Sequence, residues 1–329
     1  MNGQAVEPCD WRPSITLERL KQRADVLATI RAFFAERGVL EVETPLLANA
    51  GVTDLHLSNA VTHLNLQDNQ ATRFFLQTSP EYAMKRLLAA GSGCIYQLAK
   101  VVRNDEIGKL HNPEFTMLEW YRVGFSDRDL MQEVDALLQC IINTPPAEYI
   151  SYQQLFIQYT GCDPLTQTGL AALKAWLVEK SLGDWVASET DNDILLQLAM
   201  SHYIEPHIGY ERPVFVYNFP ASQAALARLD PDDQRVAHRF EVYVRGVELA
   251  NGYYELTDYQ QQVERFELDN QQRVASGRPV AVVDQRLLAA LASGLPESSG
   301  VALGVDRLLM LKWGTAHIRE VLTFTSANA

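Results

Sequence analysis

Positive charge is scarce in this sequence of 329 residues: 28 Lys and Arg stand against 41 Asp and Glu, a net charge of −13. Such a balance gives no general attraction to phosphate backbones, so broad nucleic-acid binding is disfavoured, although a local basic patch is still allowed. Long apolar runs are also missing. None reaches the ~18 residues of a membrane-spanning helix, and the opening MNGQAVEPCDWRPS lacks the apolar core of a secretory signal. Both absences imply a cytoplasmic protein with no membrane partner. Cysteine is rare, and Cys9, Cys94, Cys140 and Cys162 are far apart with no CxxC pair. That excludes a disulfide framework or zinc ribbon and implies reduced, buried thiols. No repeat and no low-complexity stretch interrupts the chain. What is plentiful is apolar content, 47% of residues, ample for a large core.

The apolar pattern predicts an α+β fold with a largely antiparallel sheet. Leu20, Ala24, Leu27, Ile30 and Phe34 recur at the helical period over residues 16–37, with Thr16 as cap and Gly38 as terminator. VLEVETPLL is an extended piece stopped at Pro45, and VTHLNL turns at QDNQ into RFFLQTS as a hairpin. PEYAMKRLLAAG is a short helix entered through Pro80. IYQLAKVV and FTMLEWY are two strands joined by a long polar loop holding Lys109, His111, Asn112 and Phe115. Ordinary hairpin loops are short, so a loop of this length with an aromatic in it points to a ligand site. SDRDLMQEVDALLQCII is a helix capped by Ser126 or Asp127. After NTPP, residues of about 145–210 form a mostly helical insertion, in which Ser151 and Gln154 have capping-box spacing. PVFVYNFP is a strand, and RFEVYVRGVELANGYYEL is a second long hairpin turning at Arg245-Gly246. QQVERFELDNQQR and DQRLLAALASG are helices, and SSGVALGVDRLLMLKWG is a strand leading into a helix.

Three constellations carry chemistry. With the turn at Arg245-Gly246, Val244 faces Val247 and Tyr243 faces Glu248, so Glu241 and Glu248 lie diagonally on one face, roughly 7–8 Å apart. Two such carboxylates repel unless a cation lies between them, and Mg²⁺ completed by phosphates and water suits them. A solvated hairpin face is the plainer alternative. In GVALGVDR, Gly300 and Gly304 let a ligand approach the backbone, and Arg307 on the next helix turn can neutralise a phosphate. A structural strand-to-helix turn explains the same residues. In QTSPEY, Ser79, Pro80 and Glu81 sit at a strand-to-helix junction, where side chains and free amides meet ligands, or merely start a helix.

Order and wording together resemble a family. RNDEIGKLHNPEFTMLEWY is similar to the second signature motif of class II aminoacyl-tRNA synthetases in its lysyl form. GVALGVDRLLML resembles the third motif, RGVLEVETPLL the first, and VELANGYYEL the lysine-pocket segment of lysyl-tRNA synthetases. The resemblance runs from about Thr16 to the end, one synthetase-like catalytic domain after an N-terminal tail of about fifteen residues. It implies no room for the anticodon-binding OB domain of lysyl-tRNA synthetases. That truncated form is similar to the elongation factor P lysine ligase family, which attaches a lysine-type amino acid to a lysine of elongation factor P. A stand-alone lysyl-tRNA synthetase core and an inactive, binding-only paralogue are the alternatives.

The resemblance implies ATP as a substrate, Mg²⁺, elongation factor P rather than tRNA as acceptor, and a homodimer through the Pro45 region. Arg103 and Arg307 would be catalytic, the first on the α-phosphate and substrate carboxylate, the second on the γ-phosphate. Phe115 would stack on adenine, His111 and Asn112 would reach phosphates, and Asn104, Leu249 and Gly304 would complete the nucleotide site. Glu241 and Glu248 would hold the metal. Glu119, Tyr121 and Glu255 would surround a side-chain ammonium, Ser79, Pro80 and Glu81 would take the other amino group, and Asn251 the carboxylate. The chain must bend near Gly252 for Asn251 to share Glu248's face. Two residues depart from the lysyl pattern. Asp105 replaces a glutamate, leaving Asp105 or Glu106 as the adenine contact. Ala302 replaces a glycine beside the substrate's α-amino end, which implies a preference for β-lysine over α-lysine.

Overall fold

The computed structural model describes residues 11–66, 71–104 and 107–329. Thr16 accepts a hydrogen bond from the Arg19 amide and starts α1 (Leu17–Glu36). β1 (Leu40–Glu41) and β2 (Leu47–Ala48) lie on either side of Pro45. β3 (Val61–Asn65) and β4 (Ala71–Leu76) pair as the expected hairpin, whose QDNQ turn lies outside the described residues. α2 (Glu81–Ala89) leads to β5 (Ile95–Val102) and β6 (Glu114–Val123), and then to α3 (Asp127–Ile142). Ser126, not Asp127, caps α3, in a reciprocal box with Asp129.

β7 (Glu148–Ser151), α4 (Tyr152–Thr160), α5 (Gln167–Glu179) and α6 (Asn192–Ala199) follow. The chain then returns through β8 (Val214–Pro220), β9 (Val236–Val244), β10 (Val247–Tyr254), α7 (Tyr259–Ala275), α8 (Gln285–Ser293), β11 (Ser298–Gly304) and α9 (Val305–Trp313). β7 is an addition to the region expected to be helical. Its four residues add an edge strand parallel to β8, while α4, α5 and α6 gather Leu155, Phe156, Leu173, Leu177 and Leu195 into an apolar cluster of their own.

The main sheet has eight strands in the order β1-β5-β6-β11-β10-β9-β8-β7, and a smaller sheet has the order β2-β4-β3. In the main sheet only the outermost pairs, β1–β5 and β7–β8, are parallel. Side-chain alternation divides its two faces. On one, Leu118 and Trp120 of β6 and Leu303 of β11 meet α1, α3 and α9 in the main core. On the other, Glu119 and Tyr121 are brought level with Ala302 and Gly300 by the β6–β11 register.

Three local expectations are corrected. Phe115 is not in the loop: it is paired with Val101 inside the β5–β6 ladder, which already begins at Glu114. Leu20 of α1 is exposed, and the buried stripe is instead Arg23, Val26, Ile30, Phe33 and Phe34. Of the described cysteines only Cys162 is buried, with Cys94 partly covered and Cys140 exposed on α3.

Arg23 is buried among apolar neighbours because a carboxylate meets it. Its guanidinium donates to Asp306 Oδ1 at 2.7 Å and to Thr116 Oγ1 at 2.9 Å, and the other Asp306 oxygen accepts from the Thr116 amide at 2.7 Å. Three segments far apart in sequence are thereby joined beneath the sheet. Asp306→Ala strands a buried guanidinium and is expected to cost about 3–5 kcal/mol, read as a lower urea midpoint. Replacing Arg23 and Asp306 together by apolar side chains should cost less than that single change.

Candidate active site

The polar face of the sheet floors a cleft of about 1550 Å³ walled by α2, α7 and the loops around them. One part of it is a buried carboxylate pocket. Ser79 sits at the end of the connection from β4 to α2, where its Oγ accepts from the Glu81 amide at 3.0 Å and donates to Glu119 Oε2 at 2.6 Å. Tyr121, two residues along β6 and therefore on the same face, donates to Glu119 Oε1 at 2.6 Å. Glu255 follows β10, and Glu81 opens α2. Gly300 is required here, because a Cβ at that position would collide with the Tyr121 ring and the Glu255 carboxylate. Gly304 is different: the nearest atoms to a Cβ there belong to Arg307, at 3.7 Å, so the protein itself leaves that space open.

Glu119 and Glu255 are 2% and 1% exposed. Burial pushes the Glu119 carboxyl up to about 8, with Glu81 adding repulsion. Burial also raises Glu255, to about 7, against the pull of a lysine ammonium. That lysine is Lys85, whose Nζ lies 2.7 Å from Glu81 and 2.6 Å from Glu255. The sequence reading missed it, although its i, i+4 spacing from Glu81 on one helix was a usable signal.

Asn251 faces Ala302 across the β10–β11 ladder, and Ala302 faces Glu119 across β11–β6. The alanine methyl therefore sits between amide and carboxylate on the pocket floor. The Asn251 amide oxygen is buried and has no hydrogen-bond partner, as a ligand-binding group would before its ligand arrives. Asn251 reaches this face through a β-bulge. The β9–β10 register slips between Glu248 and Ala250, so the predicted bend lies at Leu249 rather than near Gly252. The extra residue puts Glu248 and Asn251 on one side and turns Leu249 into the core.

The other end of the cleft carries cations. Arg307, in the first turn of α9, donates to the Glu248 carbonyl at 2.7 Å, meets His111 Nε2 at 2.7 Å and lies 3.6 Å from the Glu248 carboxylate. Arg103 donates to the Thr78 carbonyl at 3.4 Å and lies over the Phe115 ring at 5.3 Å. Both arginines, His111 and Phe115 line the cleft. Asn112 lines it too, but its amide is engaged with the Glu114 carbonyl and with Ser326, so it holds the loop shape. Pro80 and Asn104 do not line the cleft. The Asn104 amide bonds to the Ser58 carbonyl, and Asp105 lies outside the described residues.

Glu241 and Glu248 both face the cleft. Glu241 pairs with Arg239 at 2.5 Å and accepts the Tyr243 hydroxyl. Neither partner was expected from sequence, although Arg239 and Tyr243 flank Glu241 at the period of a strand. Glu205, likewise unexpected, is raised to about 7 by burial, with Glu248 and Glu241 adding repulsion. That excess of negative charge fits a cation between the two glutamates. Among the described residues no group of three or more His, Cys, Asp or Glu has the geometry of a complete metal site, so phosphate and water oxygens would have to finish the shell.

A family profile described as tRNA synthetases class II (D, K and N) matches residues 7–328. The chain is 53% identical over 316 residues to the elongation factor P–(R)-β-lysine ligase of Vibrio vulnificus (strain YJ016), covering 96% of this chain and 98% of that one. It is 52% identical over 320 residues to the protein of that name from Haemophilus influenzae (strain PittGG), with 97% and 98% covered. For the one from Edwardsiella ictaluri (strain 93-146) the identity is 54% over 322 residues, with 97% and 98% covered.

The raised carboxyls have a consequence for stability. An acid held above its unfolded value stabilises the fold in its protonated form. Its contribution is complete below the unfolded value of about 4.3 and is lost as pH rises through about 7 and 8, the folded values of Glu255 and Glu119. Glu119→Gln cannot ionise and is expected to flatten the fall in unfolding free energy between about pH 5 and 8, measured by urea denaturation across that range. Equal slopes for variant and wild type would mean that Glu119 is already ionised in the folded protein.

Proposed function

The chain belongs to the class II tRNA synthetase family and, within it, to that of its elongation factor P–(R)-β-lysine ligase relatives, and we propose that it activates (R)-β-lysine with ATP and transfers it to a lysine side chain of elongation factor P. One observation carries the amino-acid class: three carboxylates, Glu81, Glu119 and Glu255, meet in one buried pocket at the end of a cleft that also holds Arg103 and Arg307. A pocket of that charge recognises ammonium groups, and the arginines suit a carboxylate and phosphates.

In the first step an oxygen of the amino-acid carboxylate attacks the α-phosphorus of ATP. The new P–O bond forms as the bond to the bridging oxygen breaks, and pyrophosphate leaves with that electron pair. Both reactants are anions, so the work is to hold them together. Arg103 and Arg307 supply positioning and charge stabilisation with no protein nucleophile. Mg²⁺ held by Glu241 and Glu248 would neutralise phosphate charge. In the second step a neutral lysine amine of the acceptor attacks the acyl carbon. AMP leaves with the C–O electron pair, and the nitrogen gives up a proton. Desolvation of the acceptor lysine in the cleft favours its uncharged form beforehand.

A cytoplasmic homodimer is part of the proposal. Leu40 and Leu47, 56% and 36% exposed on either side of Pro45, offer apolar surface for a contact there, and no helix among the described residues is long and apolar enough to cross a membrane. The test supplies ATP, radiolabelled β-lysine and either elongation factor P or tRNA. Label on elongation factor P and none on tRNA is expected. Efficient tRNA charging with an unlabelled protein acceptor would refute the assignment.

Ala302 bears on the choice of amino acid. Its methyl lies between Asn251 and Glu119, where it crowds an amino group on the α-carbon and leaves room for one a carbon further along. One methyl in a tight pocket discriminates by about 10- to 200-fold. Ala302→Gly is therefore expected to move the kcat/KM ratio toward α-lysine within that range, whereas an unmoved ratio would mean that the methyl only packs.

A further inference from the structure

Lys85 is 2% exposed and does not line the cleft. It lies behind Glu81 and Glu255, with its ammonium 2.7 and 2.6 Å from one oxygen of each. Burial opposes its charge, but Glu255 and Glu81 more than offset that and hold its pKa above the ordinary lysine value. The charged groups that act on it are Glu255, at the end of β10, and Glu81, one turn earlier on its own helix. Those two carboxylates in turn face Tyr121 of β6 and Tyr253 of β10, and Glu81 also faces Tyr82. α8 packs Leu287, Leu288 and Leu291 into the cluster that holds Met84 and Leu88 of α2. Arg86, the next residue, is exposed and screened by solvent.

A buried lysine here has no need to touch substrate to matter. Once all three are ionised opposite a bound substrate, three carboxylates and one ammonium leave two negative charges, the number that a substrate with two ammonium groups cancels. Without Lys85, Glu81 and Glu255 would repel each other and Glu119 with no cation between them, and the pocket would hold a proton beyond the one that burial already favours on Glu119.

We infer that Lys85 is a positioning residue for the amino-acid substrate: a fixed counter-ion that offsets the charge of Glu81 and Glu255 and holds both carboxylates in place. The inference rests on the proposed activation of a diamino acid and deepens it by naming what sets the pocket's charge.

The test is amino-acid-dependent ATP–pyrophosphate exchange by wild type, Lys85→Met and Lys85→Arg across pH. Lys85→Met is expected to raise KM for β-lysine tenfold or more at neutral pH and to move the acid limb of kcat/KM upward by one pH unit or more. KM for ATP should stay within twofold, and Lys85→Arg should restore most of the loss. A Met variant with an unmoved acid limb, or one that loses kcat and both KM values together, would overturn the inference and leave Lys85 a structural residue. Wild type that shows no exchange with any diamino acid would instead bring down the proposed function, and the role of Lys85 with it. Should the Met variant not fold, ¹⁵N NMR of the Lys85 Nζ in wild type decides. A resonance that stays in the ammonium form to high pH and shifts on addition of β-lysine supports the role, and one that ignores the amino acid overturns it.

Discussion

Three carboxylates in one buried pocket repel each other, and most of the residues around the site exist to make that arrangement tolerable. Burial already favours the protonated forms of Glu119 and Glu255, whose carboxyls it raises. Each is therefore given hydrogen-bond donors or a cation. Glu119 takes the hydroxyls of Ser79 and Tyr121, and Glu81 and Glu255 share Lys85. Gly300 must lack a side chain so that Tyr121 and Glu255 can come this close. In the proposed function the charge stored in the pocket is the recognition device, and removing it would stabilise the fold at the expense of the ligand.

Holding such a pocket needs a floor that does not yield. The antiparallel register of β6, β11 and β10 fixes the spacing between Glu119, Ala302 and Asn251. On the reverse face the same strands send Leu118, Trp120, Leu303 and Val301 into the core against α1, α3 and α9. The Arg23–Asp306–Thr116 network adds a polar tie between α1, β6 and α9. Arg307 follows Asp306 directly, so the anchor of α9 to the sheet also sets where that arginine enters the cleft.

Much of this was legible in the sequence because it depends on short periods. The β9–β10 turn at Arg245-Gly246, with Tyr243 opposite Glu248, follows from alternation alone, and the Thr16 and Ser126 caps from local chemistry. The functional carboxylates could be nominated because an acidic residue in an apolar strand is conspicuous. Compensating residues were harder to see. Arg239 and Tyr243 look like ordinary strand residues although they flank Glu241 two residues away, and Lys85 looks like an ordinary helix residue until the tertiary fold brings Glu255 alongside. Arg23 was hidden for a related reason: a charge on an amphipathic helix is read as solvated, and only the distant Asp306 makes its burial possible. The bulge was foreseen as a need but misplaced by a few residues, since a register slip is chosen by packing. Leu249 finds a core position there, whereas Gly252 is needed for the close approach of the Phe240 ring, which a Cβ would strike.

The bulge also orders the chemistry. Along β10, Glu248 stands at one end of the cleft, Asn251 in the middle and Glu255 at the other end. Seven residues of strand span roughly 20 Å, about the length of a nucleotide and an amino acid laid end to end. The terminal groups are both carboxylates, so each calls for a cation, and in the proposed reaction those cations differ: a metal–phosphate complex near Glu248 and an ammonium near Glu255. A ligand pair that reversed this order would set phosphates against Glu81 and Glu255 and leave the ammonium beside Arg307, unfavourable at both ends. In the proposed reaction the strand therefore sets the direction in which the two substrates lie, with the amino-acid carboxylate and the α-phosphate meeting in the middle, beside Asn251.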